Sequence, residues 1–169
     1  MECPFCDVEY LEGAEICDSC GQDLTAVGET STRQGRLAST VFGYLADVPQ
    51  NEPLVLDSKA SVADAVALMR ERRHGSVQIV DDGELVGIFT ESDLLRRVDP
   101  STDLEEAAVA DVMTSEPESY TAKDTLAHAI NGMAMRGYRH VPIRDEDGHL
   151  SGFLSVRSLL AHICDQVGL

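Results

Sequence analysis

The chain has 169 residues, 43% apolar and 25% charged, which suits one ordinary domain, or a small domain with a tiny module, and disfavours a wholly disordered chain. Acids outnumber bases 30 to 13, for a net charge of −17. Binding to nucleic acid or to an anionic membrane is therefore disfavoured, because phosphate rewards the opposite sign. No apolar run approaches the roughly 18 residues of a membrane span. Met1-Glu2-Cys3-Pro4 has neither the basic region nor the apolar core of a secretory signal. The expectation is a cytoplasmic protein without membrane contact.

Four of the five cysteines fall in the first 20 residues, as Cys3-Pro-Phe-Cys6 and, after ten residues, Cys17-Asp-Ser-Cys20-Gly21. Two CxxC pairs at this spacing predict a tetrahedral zinc site of four thiolates, each tight turn aiming two sulfurs at one ion. Gly21 supports the second turn. A segment this short buries no core of its own, so a metal clip supplies its folding energy. Four thiolates close the shell, which makes the site structural rather than catalytic. Two disulfides, reduced free thiols, a redox site or another metal are the alternatives, and disulfides are disfavoured in a chain without a secretory signal. The segment resembles the zinc-ribbon family, some of whose members touch nucleic acid while others hold proteins together. Residues 1–24 carry seven acids and no Lys or Arg, so contact with an unknown protein partner, or self-association, is the better expectation. Cys164 stands alone in an apolar C-terminal helix and reads as a small buried residue.

Residues 25–36 (TAVGETSTRQGR) are small, polar and without period, and read as a linker whose composition favours a swinging over a docked cysteine module, with both open. Leu37, Val41, Tyr44 or Leu45, and Val48 then fall at the spacing of a short helix.

The remainder is a duplication. Shifting residues 46–98 by 64 lays them over 110–163, with one extra residue in the second turn. Ala46-Asp47-Val48 matches Ala110-Asp111-Val112, Met69 matches Met133, Val77 and Ile79 match Val141 and Ile143, and Gly87 matches Gly152. Each copy reads strand–helix–strand–strand–helix. In the first copy, Ser61 caps a helix with Val62, Ala65, Val66 and Met69 on its apolar face. Val77–Val80 and Leu85–Phe89 are strands joined at Asp82-Gly83, and a helix presents Leu94, Leu95 and Val98. The second copy repeats this with Leu126, Ala129, Ile130 and Met133, then Val141–Ile143, Leu150–Leu154, and a helix with Leu159, Leu160 and Ile163. Neither copy buries its sheet alone, so a pseudo-twofold pair is expected.

The repeats resemble a tandem pair of CBS domains, the cystathionine-β-synthase-type module. The likeness is carried by Ala46-Asp-Val48, Ala110-Asp-Val-Met-Thr114, Gly87-Ile-Phe-Thr-Glu-Ser-Asp-Leu94 and Gly152-Phe-Leu-Ser-Val-Arg-Ser-Leu159, and runs over roughly residues 46–165. It implies an α+β fold: two β-α-β-β-α CBS repeats packed as a pseudo-twofold pair behind a small four-cysteine zinc ribbon. The divisions are 1–24 for the ribbon, 25–45 for linker and short helix, 46–100 for the first repeat and 101–169 for the second. It also implies a non-catalytic regulatory module that dimerizes and binds AMP, ADP, ATP or S-adenosylmethionine in clefts between the repeats. The family's hydroxyl–carboxylate signature falls on Thr90 and Asp93, for ribose and phosphate, and a carboxylate suits a diol because it only accepts hydrogen bonds. The same residues also read as a helix capping box. In the second copy Ser155 keeps the hydroxyl but Ser158 replaces the acid, so two unequal sites are expected, the one with Asp93 stronger. Arg139 and His140 resemble the family's phosphate contacts. Val77 and Pro142 complete the implied ligand set, with Gln78 at the place that matches Pro142. Arg70, Arg72, Arg73, His74, Arg136 and Arg144 fall in the same two stretches. Basic residues near helix C-termini also complement the helix dipole, and that reading stays open for them.

His128 and His162 fall on helices and read as surface or core residues rather than ligands. Asp145-Glu146-Asp147 reads as a solvated turn. The alternative is a dimerization scaffold only, with Ser158 a sign of lost binding, and a nucleic-acid regulator working through the ribbon is a third, weaker reading. The acidity has two explanations: a salt-adapted organism whose carboxylate surface stays hydrated, or a GC-rich genome with an ordinary acidic surface. Lys59 and Lys123 stand against eleven arginines. Melting curves from low to molar KCl separate the two: salt adaptation predicts a melting temperature that climbs with salt, and a flat profile removes it.

Overall fold

The computed structural model describes residues 1–11, 13–25, 27 and 33–168, and of 33–36 the backbone alone. No helix among the described residues is long and apolar enough to cross a membrane.

The two CxxC turns are built alike. Cys3 N donates to Val8 O and Asp7 N to Cys3 O, at 2.9 and 2.8 Å; Cys17 N donates to Gln22 O and Gly21 N to Cys17 O, also at 2.9 and 2.8 Å. Each turn needs a left-handed residue four places after its first cysteine. Gly21 supplies it in one (φ 71°) and Asp7 in the other (φ 57°). That region disfavours most L-residues by roughly 1 kcal/mol or more, and Asp is among the few that tolerate it. Among the described residues, Leu24 is the one buried aliphatic side chain packed with the cysteines.

Half of the expected linker falls outside the described residues, but its last four are helical: α1 spans Arg33–Val41. The helix predicted within 37–48 therefore starts earlier and stops sooner. Gly43 N bonds back to Thr40 O, and a Cβ on Gly43 would sit 3.1 Å from that carbonyl. Leu45–Asp47 then form a separate 3-10 turn with Leu45 fully buried.

The first copy comprises β1 (Val55–Leu56), α2 (Val62–Arg72), β2 (Ser76–Asp81), β3 (Glu84–Thr90) and α3 (Glu91–Arg97). A 3-10 turn at Val109–Asp111 and β4 (Thr114–Ser115) lead into β5 (Tyr120–Thr121), α4 (Leu126–Arg136), β6 (His140–Arg144), β7 (Leu150–Ser155) and α5 (Val156–Val167). The sheets run β1-β2-β3-β4 and β5-β6-β7. The expected α+β repeat pair is what forms. Ser61 caps α2 in a full capping box with Asp64. Positive φ at Asp82 and Gly83 closes the β2–β3 hairpin, which pairs Val77 with Phe89 and Ser76 with Thr90. The expected helix faces need one correction. Leu95 and Leu160 are 82% and 56% exposed, because α3 packs the partly buried Leu94, and α5 the buried Leu159, against the core, which turns these two outward.

Two compact units divide the chain, and each draws on both copies: one holds Met1–Gln50, Tyr120–Val141 and Leu154–Leu169, the other Asn51–Ser119 and Pro142–Phe153. The reason lies in three pairs of hydrogen bonds, and the bridges they frame, related by the 64-residue repeat. In the first unit Leu45 N donates to Asp124 O, Ala46 N to Ala122 O and Leu126 N to Gly43 O, while Tyr44 bridges Thr125. In the second unit Val109 N donates to Ala60 O, Ala110 N to Ser58 O and Val62 N to Ala107 O, while Ala108 bridges Ser61. The segment leading into each copy is thus docked on the other copy's helix start. Within the second unit the strands do likewise: Ser115 pairs with Gly87, and Asn51 with Phe153.

The core of the second unit gathers Leu54, Val62, Ala65, Met69, Val77, Ile79, Phe89 and Val109. Inside it, fully buried Gln78 accepts from Leu54 N through Oε1 (3.0 Å), donates from Nε2 to Ser76 Oγ (3.3 Å), and gives its backbone N–H to Leu54 O (2.7 Å). Pro142, at the matching place in β6, has no N–H to give. Replacing Gln78 with Leu keeps the volume but strands the Leu54 N–H. The variant is expected to lose about 1–3 kcal/mol in urea unfolding; an unchanged midpoint would show that Leu54 N finds another acceptor.

Candidate functional site

The four N-terminal cysteines converge. Cys3 Sγ lies 3.8 Å from Cys20 Sγ, Cys6 Sγ lies 3.8 Å from Cys17 Sγ, and all four sulfurs are within 4.8 Å of one another. A disulfide needs about 2.05 Å. Four sulfurs at about 2.3 Å from a tetrahedral ion are about 3.8 Å apart, so the spacing is that of a metal tetrahedron's edges. Burial pushes the Cys3 thiol up to about 12, and burial raises Cys20 as well. Backbone N–H groups, first that of Cys20, pull Cys17 down to about 7. A thiophilic divalent ion binds thiolates and would hold these buried sulfurs deprotonated, so the donor set fits one.

Composition predicted a swinging module; the described residues dock it on α4. Thr125 Oγ1 donates to Pro4 O, Asn131 Nδ2 to Phe5 O (3.4 Å), and Gln22 Nε2 to Asn131 Oδ1 (3.2 Å). Phe5 meets Phe42 edge to face at 5.3 Å. His128, expected as a bland surface or core residue, lies with its Nδ1 3.2 Å from Asp7 Oδ2 and 3.3 Å from Asp124 Oδ1. No local motif announces this grouping, because Asp7 arrives only through the docking.

The two strand-to-helix corners carry the hydroxyl signatures. In the second unit Thr90 caps α3: its Oγ1 accepts from Asp93 N (3.3 Å), and Asp93 Oδ2 accepts from Thr90 N (2.9 Å) and Thr90 Oγ1 (2.6 Å). Asp93 is 7% exposed. Its Oδ1 has weaker company, Thr114 Oγ1 at 3.4 Å and Arg97 Nε at 3.3 Å. Arg97 is half exposed and directs its Nη1 to Met113 O at 2.6 Å. The capping box is thus formed, and one carboxylate oxygen remains loosely held.

In the first unit Ser155 and Ser158 form the same box at the start of α5: Ser158 N donates to Ser155 Oγ (3.1 Å), and Ser158 Oγ accepts from Ser155 N (2.9 Å). Arg139 is exposed and its carbonyl accepts Val156 N at 3.0 Å, which places it beside this corner; His140 is half-buried at the start of β6. Val77 and Pro142 are buried, with no side chain toward solvent. Arg144 is occupied within the second unit, donating to Ser119 Oγ, Gly148 O and Leu85 O. Its neighbours give it a structural role. His74 packs edge to face on Phe153 at 5.3 Å, and Arg73 is exposed in the left-handed cap of α2. Asp145 accepts from Asp147 N and His149 N, the solvated turn expected there.

On the surface of the first unit, a groove of about 550 Å³ between α4 and α5 is lined by Ile130, Met133, Val156, Leu159, Leu160 and Ile163 among others.

A family model described as CBS domain matches residues 45–99 and 109–165. An uncharacterized 17.7 kDa protein of Acidianus ambivalens is 27% identical over 122 residues, 72% of this chain and 73% of that one. GMP reductase of Mycobacterium tuberculosis is 33% identical over 119 residues, 69% of this chain, but this chain spans only 23% of the enzyme's length. A CBS domain protein from Pyrobaculum aerophilum complexed with AMP shares the fold, with a TM-score of 0.65 and 22% identity over 75% of this chain and 100% of that one. Both halves of the duplication are matched in turn, and the chain belongs to the CBS domain family as a tandem pair.

Proposed function

We propose that the chain is a non-catalytic regulatory module of the cytoplasm that senses an adenine nucleotide, AMP, ADP, ATP or S-adenosylmethionine. The observation that carries this reading is Asp93: a nearly buried carboxylate whose Oδ2 is fixed in a helix cap while Oδ1 keeps only a long contact and a half-exposed ion pair. Neither contact is short, so Oδ1 is the oxygen that can turn to a ribose hydroxyl, with Thr90 beside it. The shared fold of the Pyrobaculum aerophilum protein, complexed with AMP, supports the ligand class. The corner of Ser155 and Ser158, flanked by Arg139 and His140, is the second and weaker site. Backbone rather than side-chain contact is the part left to Val77 and Pro142. Ligand regulates only by binding two arrangements of the module with different affinity.

We further propose one zinc ion held by Cys3, Cys6, Cys17 and Cys20 as a structural clip, with the ribbon as the surface for a protein partner. The apolar α4–α5 groove, with Leu160 exposed, is our candidate for homodimer contact. One observation favours a second reading, a ligand-free dimerization scaffold: every oxygen of Asp93 already has a neighbour within the chain.

Calorimetry with the four nucleotides decides between these readings. Asp93→Ala is expected to weaken binding about 10- to 100-fold, the worth of a hydrogen bond to a charged group. Ser158→Asp, which retains a capping partner, is expected to strengthen or add a second equivalent. No binding at millimolar nucleotide, together with an unmoved melting temperature, establishes the scaffold. For the metal, one zinc per chain is expected by elemental analysis, falling to none in Cys17→Ser. Four thiols reacting without a chelator, in protein as purified, would remove the zinc reading.

A further inference from the structure

We propose that Asp7, Asp124 and His128 form a second divalent-cation site, distinct from the four cysteines, that clamps the N-terminal module to helix α4. Their ligand atoms lie within 4.8 Å of one another. His128 Nδ1 is screened from solvent and makes no hydrogen bond, although carboxylate oxygens lie 3.2 and 3.3 Å away. One ring nitrogen donates at most one proton, so two carboxylates converging on it exceed what an ion pair uses. A first-row ion about 2.0–2.1 Å from each ligand has tetrahedral edges of about 3.3–3.4 Å, close to both separations. An imidazole with two carboxylates suits zinc and its neighbours rather than calcium.

The surroundings hold the ligands ready. Asp124 Oδ2 accepts from Thr121 N (2.6 Å) and Thr121 Oγ1 (2.9 Å), leaving Oδ1 for the site. The His128 ring rests edge-on against Tyr120 at 5.1 Å, and its backbone N–H donates to Thr125 Oγ1. Asp7 is 57% exposed, which leaves solvent to complete the shell. Asp7 also occupies the left-handed position that glycine fills in the other cysteine turn.

That last point supplies a clean variant. Asp7→Gly restores the residue the turn prefers and deletes one ligand. The full-length chain is titrated with Zn²⁺ and, separately, with Co²⁺, following stoichiometry by elemental analysis and the thiolate-to-cobalt absorption of the cysteine site. Wild type is expected to bind two ions per chain. Asp7→Gly and His128→Gln are each expected to bind one, with thiolate absorption intact, and Thr121→Val to bind the second ion about tenfold more weakly. Circular dichroism and melting of Asp7→Gly check its fold. A wild-type stoichiometry of one with thiolate absorption present overturns the proposal, as does a second ion that persists in both ligand variants or is lost instead in His149→Gln. A His128-dependent ion bound without any thiolate absorption leaves this site standing and refutes only the zinc ribbon.

Discussion

The structure depends on a reciprocal exchange of backbone hydrogen bonds. The turn before each copy gives its N–H groups to the carbonyls that precede the other copy's first helix, Leu45 to Asp124 and Val109 to Ala60. A lone two-stranded hairpin is marginal in water, and a copy of this length buries too little surface to stand alone. Borrowing the neighbour's lead segment covers the exposed end of the helix and seats Leu45 or Val109, both fully buried. The compact units consequently cut across the sequence repeats. Neither copy is a compact unit by itself.

With the backbone so constrained, the two strand-to-helix corners are nearly superimposable in role and differ in chemistry. Both are closed by a hydroxyl N-cap whose partner three residues on reaches back to the cap's N–H. Ser158 performs that task with a hydroxyl, so capping alone does not require the acid at 93. A carboxylate 7% exposed carries a desolvation cost that a serine avoids. Thr114 and Arg97 offset part of it, and the remainder is consistent with a group retained for something besides the cap. Gln78 and Pro142 show the same divergence under one backbone: where Pro142 lacks the N–H, Gln78 uses backbone and side chain together to tie down Leu54.

Much of this was legible in the residues. The offset of 64, the caps at Ser61 and Thr90, the Asp82-Gly83 turn and the two cysteine pairs are local signals, because a cap or a tight turn is decided within four residues. Partner choice was not legible. Sequence periodicity marks Leu45 and Val109 as apolar but cannot say that each seats on the other copy. Leu95 and Leu160 sit beside leucines that pack inward, Leu94 partly and Leu159 fully buried, and only packing decides which of two adjacent leucines faces the core. Residues 25–36 read as a flexible tether, and composition alone carries no information about Thr125, His128 and Asn131, which receive the module at its far end.

Those three residues recur at helical spacing along one side of α4, while Leu126, Ala129 and Met133 are buried. A single helix therefore divides its faces between core and cysteine module. Its first turn carries Thr125 and His128, which meet Pro4 and Asp7; past its last turn, Arg139 O receives Val156 N at the corner of Ser155 and Ser158. Eleven residues of helix span about 16 Å, and a helix over that distance moves as a rod. Within this unit, the short turn of residues 137–139 joins that rod to the serine corner. Such a route becomes coupling only where the rod has two seats of similar energy. The contacts at its module end are few and polar, with Asp7 more than half exposed, and a footing of that kind can be exchanged without opening the core.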